Sequence, residues 1–250
     1  MAKKTMTKDY EIHYYEVDFR KRMHITSLVD FLGDIATHQS ENLGVGMDYL
    51  ASRGLGWVLY KWDIKMHRYP VYGETISVKT YPYGFKSFYA YRKFEVYDKS
   101  GGLIAEAGSI WLLVNAEKKK PVRVDSEMFY AYGIEENCKD TIEIEEIKKP
   151  ERTDEEKIFS VRYSDIDTNR HVNNSKYASW GIEVIPMDIV LNYSIKRMKI
   201  TYQRETKYGD IVNSKVQINN RGHEVLCSHL IEDGEGSALT LLETYWKKEE

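Results

Sequence analysis

The chain has 250 residues, 42% hydrophobic and 30% charged, with a formal net charge of −3. That length suits two domains of about 100–150 residues better than one, and the charge provides no global basic field for nucleic acid or a membrane surface. No apolar run approaches the ~18 residues of a membrane-spanning helix. The start, Met1 to Met6, is followed by no apolar stretch, so no signal peptide is expected. Two cysteines, Cys138 and Cys227, are too few for a disulfide framework or a zinc cluster, and the cytoplasm is the expected compartment.

In chain order, Ile12–Asp18 alternates apolar and polar residues and reads as a strand. Leu28, Phe31, Leu32 and Ile35 then follow the i, i+3, i+4, i+7 spacing of a one-faced helix. Thr26 or Ser27 is its expected cap, and Gly44 and Gly46 lie past its end. Aromatic residues alternate along Tyr81, Tyr83, Tyr89 and Tyr91, a strand pattern. Asp98–Gly102 marks a hairpin. Residues 140–156 are highly charged, contain Pro150 and read as a linker between a domain at 1–139 and another at 157–250. Val161–Asp167 is a second alternating segment. A shorter helix follows, carrying Tyr177, Trp180 and Ile182 with Ser175 as its expected cap. Asn219–Gly222 and Glu232–Gly236 mark two more hairpins.

The two halves repeat one plan. Ile12–Asp18 recurs 149 residues later as Val161–Asp167, and Arg68–Glu74 recurs 136 residues later as Arg204–Asp210. Each half reads strand, helix, then an antiparallel meander. A lone helix with such a meander packs most economically with the sheet wrapped around its apolar face. The expected fold class is therefore α+β, two tandem hotdog domains.

The repeat is asymmetric where chemistry would sit. Arg20, Arg22 and Tyr69 align with Asn169, His171 and Glu205, so only the second half combines an amide, an imidazole and a carboxylate at these places. The block Asp167-Thr168-Asn169-Arg170-His171-Val172-Asn173-Asn174-Ser175-Lys176-Tyr177, with Trp180 beyond it, resembles the signature of the acyl-acyl carrier protein thioesterases. Gly56-Trp57-Val58-Leu59, Arg68–Glu74 and Ser109-Ile110-Trp111 resemble that family's first hotdog.

The resemblance implies hydrolysis of fatty acyl thioesters on acyl carrier protein, releasing free fatty acid and ending chain elongation. It implies Asp167, Asn169, His171 and Glu205 as catalytic residues, and neither cofactor nor metal. Plant members have Cys directly after the catalytic Glu; here the residue is Thr206, which puts a cysteine mechanism in doubt. Asp165, Asp167 and His171 would otherwise suggest a metal site. The residue types suit thioester hydrolysis: Glu205 as general base or nucleophile, Asn169 and His171 as donors to a developing oxyanion. Leu28, Phe31, Leu32, Ile35, Trp57 and Leu59 are expected to line the acyl-chain site, besides filling core. Lys118, Lys119, Lys120 and Arg123 are candidates for contact with the acidic carrier protein, as a monomer or homodimer. The competing functions are an acyl-coenzyme A thioesterase with the same site and a non-catalytic acyl-binding hotdog protein. The second would be marked by loss of the polar residues in both halves.

Overall fold

A computed structural model describes residues 2–249 and divides the chain into two compact units. Of the described residues, the first comprises 2–60 and 66–144, the second 61–65 and 145–249.

The first unit contains β1 (Met6–Glu11), α1 (Ile25–Asn42), α2 (Met47–Ser52), most of β2 (Leu55–Met66), β3 (Thr75–Lys86), β4 (Tyr89–Tyr97), β5 (Leu103–Asn115) and α3 (Ser126–Tyr132). Its strands run in the order β1-β3-β4-β5-β2. β1, β3, β4 and β5 pair antiparallel, with Met6 opposite Thr80 and Ser77 opposite Tyr97. α1 packs on β1 and β3 and buries Leu28, Leu32 and Ile35, the residues whose spacing predicted it. A second apolar cluster joins Phe85, Leu113, Met128 and Tyr132 with α2 and α3, two helices too short to show an amphipathic period.

The second unit contains β6 (Glu155–Ser160), α4 (Asn174–Glu183), α5 (Met187–Asn192), β7 (Tyr193–Tyr202), β8 (Ile211–Asn220), β9 (Glu224–Asp233) and β10 (Ala238–Lys248). Its strands run β7-β10-β9-β8-β6, all antiparallel, and residues 61–65 of β2 pair with β7. α4 packs on β8, β9 and β10 through Tyr177, Ala178 and Trp180. Each unit is thus a principal helix against an antiparallel sheet, the hotdog arrangement.

Three local expectations change. The matched segments Ile12–Asp18 and Val161–Asp167 are not strands. The strands end earlier, and Tyr14–Glu16 and Tyr163–Asp165 form single 3-10 turns. Here a carboxylate outcompetes the sheet ladder: Glu16 accepts the His13 N–H at 2.7 Å and Asp165 the Arg162 N–H at 2.8 Å. Neither Thr26 nor Ser27 caps α1, which already begins at Ile25 behind His24. α4 is capped by Asn173, whose Oδ1 accepts the Ser175 N–H at 3.0 Å, not by Ser175.

Residues 140–156 are not a solvated tether throughout. Ile144 and Ile147 are buried, Ile144 against Tyr91 and Ile110, and Glu155 and Glu156 already belong to β6. The charged residues alternate with these isoleucines and face outward; Glu145 reaches the buried Lys199 ammonium at 3.2 Å.

Candidate active site

The site begins with a turn. Asp167 N–H donates to His171 O (2.8 Å), and Arg170 N–H to Asp167 O (3.1 Å). The Asp167 carboxylate accepts the N–H groups of Asn169 (2.8 Å) and His171 (3.3 Å). Arg170 takes a left-handed conformation at φ 63° to close the loop. Asp167 therefore orients His171 through its backbone rather than through its ring. Asn169 hangs from the same turn, its Nδ2 3.5 Å from Asp167 Oδ2.

A second segment supplies the carboxylate. β7 ends at Tyr202, and the following loop is tied down by Gln203 and Arg204 N–H groups donating to Leu239 O. Thr206 O accepts the Val172 N–H at 3.1 Å, stitching this loop to the residue after His171. Thr206 Oγ1 and Lys207 N–H both donate to the Asp210 carboxylate, which lowers the Asp210 pKa and fixes the loop. Glu205 thus stands just beyond the strand rather than on it, and its Oε2 lies 3.2 Å from His171 Nε2. The His171 side chain is 23% exposed and that of Glu205 41%, so the pair faces an accessible rim.

Asp167, Asn169 and His171 thus share one turn, and Glu205 joins them through His171. Asp165 does not: it is fully buried, and its carboxylate accepts from the Arg162 guanidinium and N–H. Burial would raise its pKa, but the Arg162 bonds outweigh burial and lower it. A further residue lies close to this set. Tyr177 is buried beneath the site, hydrogen-bonded to the Thr206 backbone, and its pKa is raised by burial first and by nearby Glu205 and Asp167. Its position one turn after the Asn173 cap was the available signal. A hollow of about 430 Å³ elsewhere in this unit, bordered by Glu145, Lys149, Lys199, Glu243 and Tyr245, shares no residue with the set. It opens among mixed charges on the strand face away from α4.

The other expected binding residues lie in the first unit. Leu28, Phe31, Leu32, Ile35 and Leu59 are buried. Phe31 stacks on Tyr10 at 4.4 Å, and Trp57 is partly buried against Phe85 at 6.2 Å.

The turn is duplicated in the first unit, bond for bond. Asp18 N–H donates to Arg22 O, Asp18 Oδ1 accepts from Arg20 and Arg22 N–H, Met23 N–H donates to Pro70 O, and Lys21 has φ 60°. Where the second unit pairs His171 with Glu205, the first sets the Arg22 guanidinium 5.8 Å from the Tyr69 ring. The scaffold is common, and the His171–Glu205 pair has no counterpart at the matched places of the first unit.

Residues 3–132 match the acyl-ACP thioesterase N-terminal domain, and residues 148–248 the acyl-ACP thioesterase C-terminal domain. The chain is 24% identical to a chloroplastic dodecanoyl-[acyl-carrier-protein] hydrolase of Cinnamomum camphora, covering 96% of this chain and 67% of that protein. It is 26% identical to the chloroplastic oleoyl-acyl carrier protein thioesterase 2 of Arabidopsis thaliana, over 81% of this chain and 60% of that one. The chain thus spans about two thirds of the length of these plant relatives. A Lactobacillus plantarum structure described as an oleoyl thioesterase superposes with a TM-score of 0.89 at 28% identity, covering 98% of this chain and 97% of the other. The 12:0-ACP thioesterase of Umbellularia californica shares the fold at a TM-score of 0.85 and 22% identity, covering 98% of each chain. With both domains matched in order and the polar constellation in the second, this chain belongs to the acyl-ACP thioesterase family.

Proposed function

We propose that this protein hydrolyses fatty acyl thioesters on acyl carrier protein, releasing the free fatty acid and the holo-carrier and so terminating elongation. The observation that carries the reading is the 3.2 Å approach of His171 to Glu205 beside Asn169, on a turn whose first-unit copy has neither group. It is supported by the activities for which the plant relatives are named.

In this reading Glu205 accepts a proton from a water as its oxygen attacks the thioester carbonyl carbon. Asn169 Nδ2–H and the His171 imidazole donate to the oxyanion. The C–S bond then breaks, and a proton returned through His171 neutralises the departing thiolate. Attack by the Glu205 carboxylate itself, followed by hydrolysis of the anhydride, would use the same contacts. Asp167 is a positioning residue, acting through the Asn169 and His171 N–H groups.

We assign acyl-chain binding to the first unit, with Leu28, Phe31, Leu32, Ile35, Trp57 and Leu59 shaping the apolar slot. Each buried CH₂ adds about 0.8 kcal/mol, so slot depth selects chain length. All four polar residues come from one chain, so a monomer suffices. No described helix is long and apolar enough to cross a membrane. The plant relatives are chloroplastic, whereas we place this chain in the cytoplasm, a compartment that suits its two free cysteines.

The test is thiol release from acyl-carrier protein and from acyl-coenzyme A carrying matched chains. Release from the carrier substrate that is abolished in Glu205→Gln supports the reading. Faster turnover of acyl-coenzyme A would reassign the substrate, and no release from either would leave an acyl-binding protein.

A further inference from the structure

In the first unit the duplicated turn has lost the reactive pair, yet its surroundings are not those of an idle surface loop. Tyr14, Tyr15, Phe19 and Tyr72 stand 80%, 77%, 63% and 55% exposed around it, and Val71 is exposed beside them. Tyr14 and Tyr72 meet edge to face at 6.3 Å, so the aromatic rings form a patch rather than isolated exposures. The turn itself carries three consecutive cations, Arg20, Lys21 and Arg22. Lys21 is held outward by its left-handed backbone, and the Arg20 guanidinium lies 5.0 Å from the Phe19 ring. Of the acids in the segment, Glu16 accepts the His13 N–H and lies 3.1 Å from its ring, and Asp18 accepts the Arg20 and Arg22 N–H groups and pairs with the Arg22 guanidinium at 4.0 Å. Lys21 at the tip is exposed, whereas Arg20 and Arg22 are half-buried. The matched second-unit turn reads Asn169-Arg170-His171; Tyr14 and Tyr72 have exposed counterparts there in Tyr163 and Tyr208, but Ser164 and Thr168 stand where the first unit has Tyr15 and Phe19.

Aromatic rings with interspersed cations are the make-up of interface centres. A positive patch steers an acidic partner to the surface and fixes its orientation. We propose that the Asp18–Arg22 turn of the first unit, with Tyr14, Tyr15, Phe19 and Tyr72, is the docking surface for the acidic carrier protein that bears the acyl group. The inference rests on the carrier-protein reading above and names its surface. The alternative is the exposed Lys118–Lys120 segment, which contains no aromatic ring.

The experiment measures binding of acidic holo-carrier protein, and hydrolysis of acyl-carrier protein and of uncharged acyl-pantetheine, by the intact protein and three variants. Lys21→Asp suits the left-handed position. Tyr15→Ala with Phe19→Ala removes exposed rings only. Lys118→Glu with Lys120→Glu is the control. The first two should each weaken carrier binding about tenfold and raise KM for acyl-carrier protein to match. Acyl-pantetheine hydrolysis should be unchanged, and Lys21→Asp should flatten the salt dependence of binding. Binding unaltered by the first two variants, absent from the native protein, or lost chiefly in the Lys118–Lys120 variant would overturn the proposal. Tight native binding without hydrolysis would support docking and overturn the catalytic reading instead.

Discussion

Burial separates His171 from His229 in the second unit. His171 keeps contact with solvent beside Glu205, whereas His229 on β9 is fully enclosed. His229 Nε2 lies 3.0 Å from Thr244 Oγ1, and among the described residues no partner reaches Nδ1. Burial pushes its pKa down to about 3. Because the folded value is below the unfolded one of about 6.5, the unfolded chain takes up the proton first. Stability is full above about pH 6.5 and is lost as the pH falls toward 3, by on the order of 5 kcal/mol. Urea midpoints between pH 7 and pH 4 should drop less in His229→Gln than in the native protein; equal slopes would place the acid lability elsewhere. Cys227 contrasts with a reactive thiol in the same way, its pKa pushed up to about 12 by burial. With Thr206 beside Glu205 and Cys227 enclosed, replacing Cys138 and Cys227 by Ala should leave kcat within about twofold, as thiols contribute no step. A folded double variant without activity would restore a cysteine mechanism. Glu205→Gln keeps the shape and loses the base, so kcat should fall about a hundredfold or more. Asn169→Ala should cost roughly 10²–10³ in kcat, the loss of one oxyanion donor. Thiol release at saturating substrate measures both, and near-native turnover in either would remove that residue from the mechanism.

Among the elements, α4 links stability to the site. Its cap, Asn173, comes two residues after His171, and the Asn173 N–H donates to Asp165 O at 2.8 Å. Asn173→Ala should lower stability by about 1 kcal/mol and also lower kcat, because the cap and the turn share backbone. Denaturant midpoints and kcat from the same preparation test this; a stability loss with unchanged kcat would uncouple the helix start from the turn. The reading of α1 from its apolar spacing holds because a long one-faced helix advertises its buried stripe. α2, α3 and α5 have six or seven residues each, too short for that periodicity. Alternation reads the two 3-10 turns as strands, because it describes the sequence only up to the point where a carboxylate three residues on captures the backbone.

Across the molecule, the proposed division of labour predicts separable kinetics. Shortening Leu32, fully buried on α1, should shift the preferred acyl length, with a stability cost of about 2–5 kcal/mol. Glu205→Gln should lower the rate for every length alike. Turnover on a series of chain lengths tests both, and an unchanged length profile for Leu32→Ala would make α1 core alone. The sequence by itself determined the repeat, the principal helices, the hairpins and the asymmetric positions, because each is a matter of residue type and spacing along the chain. It also placed Asn169, His171 and Glu205 in register with Arg20, Arg22 and Tyr69. Only the tertiary structure brought His171 to Glu205, 34 residues later, since that meeting depends on β7 pairing with β10 and on the Thr206–Val172 bond closing the loop. The tertiary structure also decided the role of Asp167 in holding backbone rather than imidazole and the packing of Ile144 and Ile147 in a charged segment. Residue types at a given spacing say which groups are available. Which groups meet is set by long-range pairing and burial, and neither is written in any local stretch of chain.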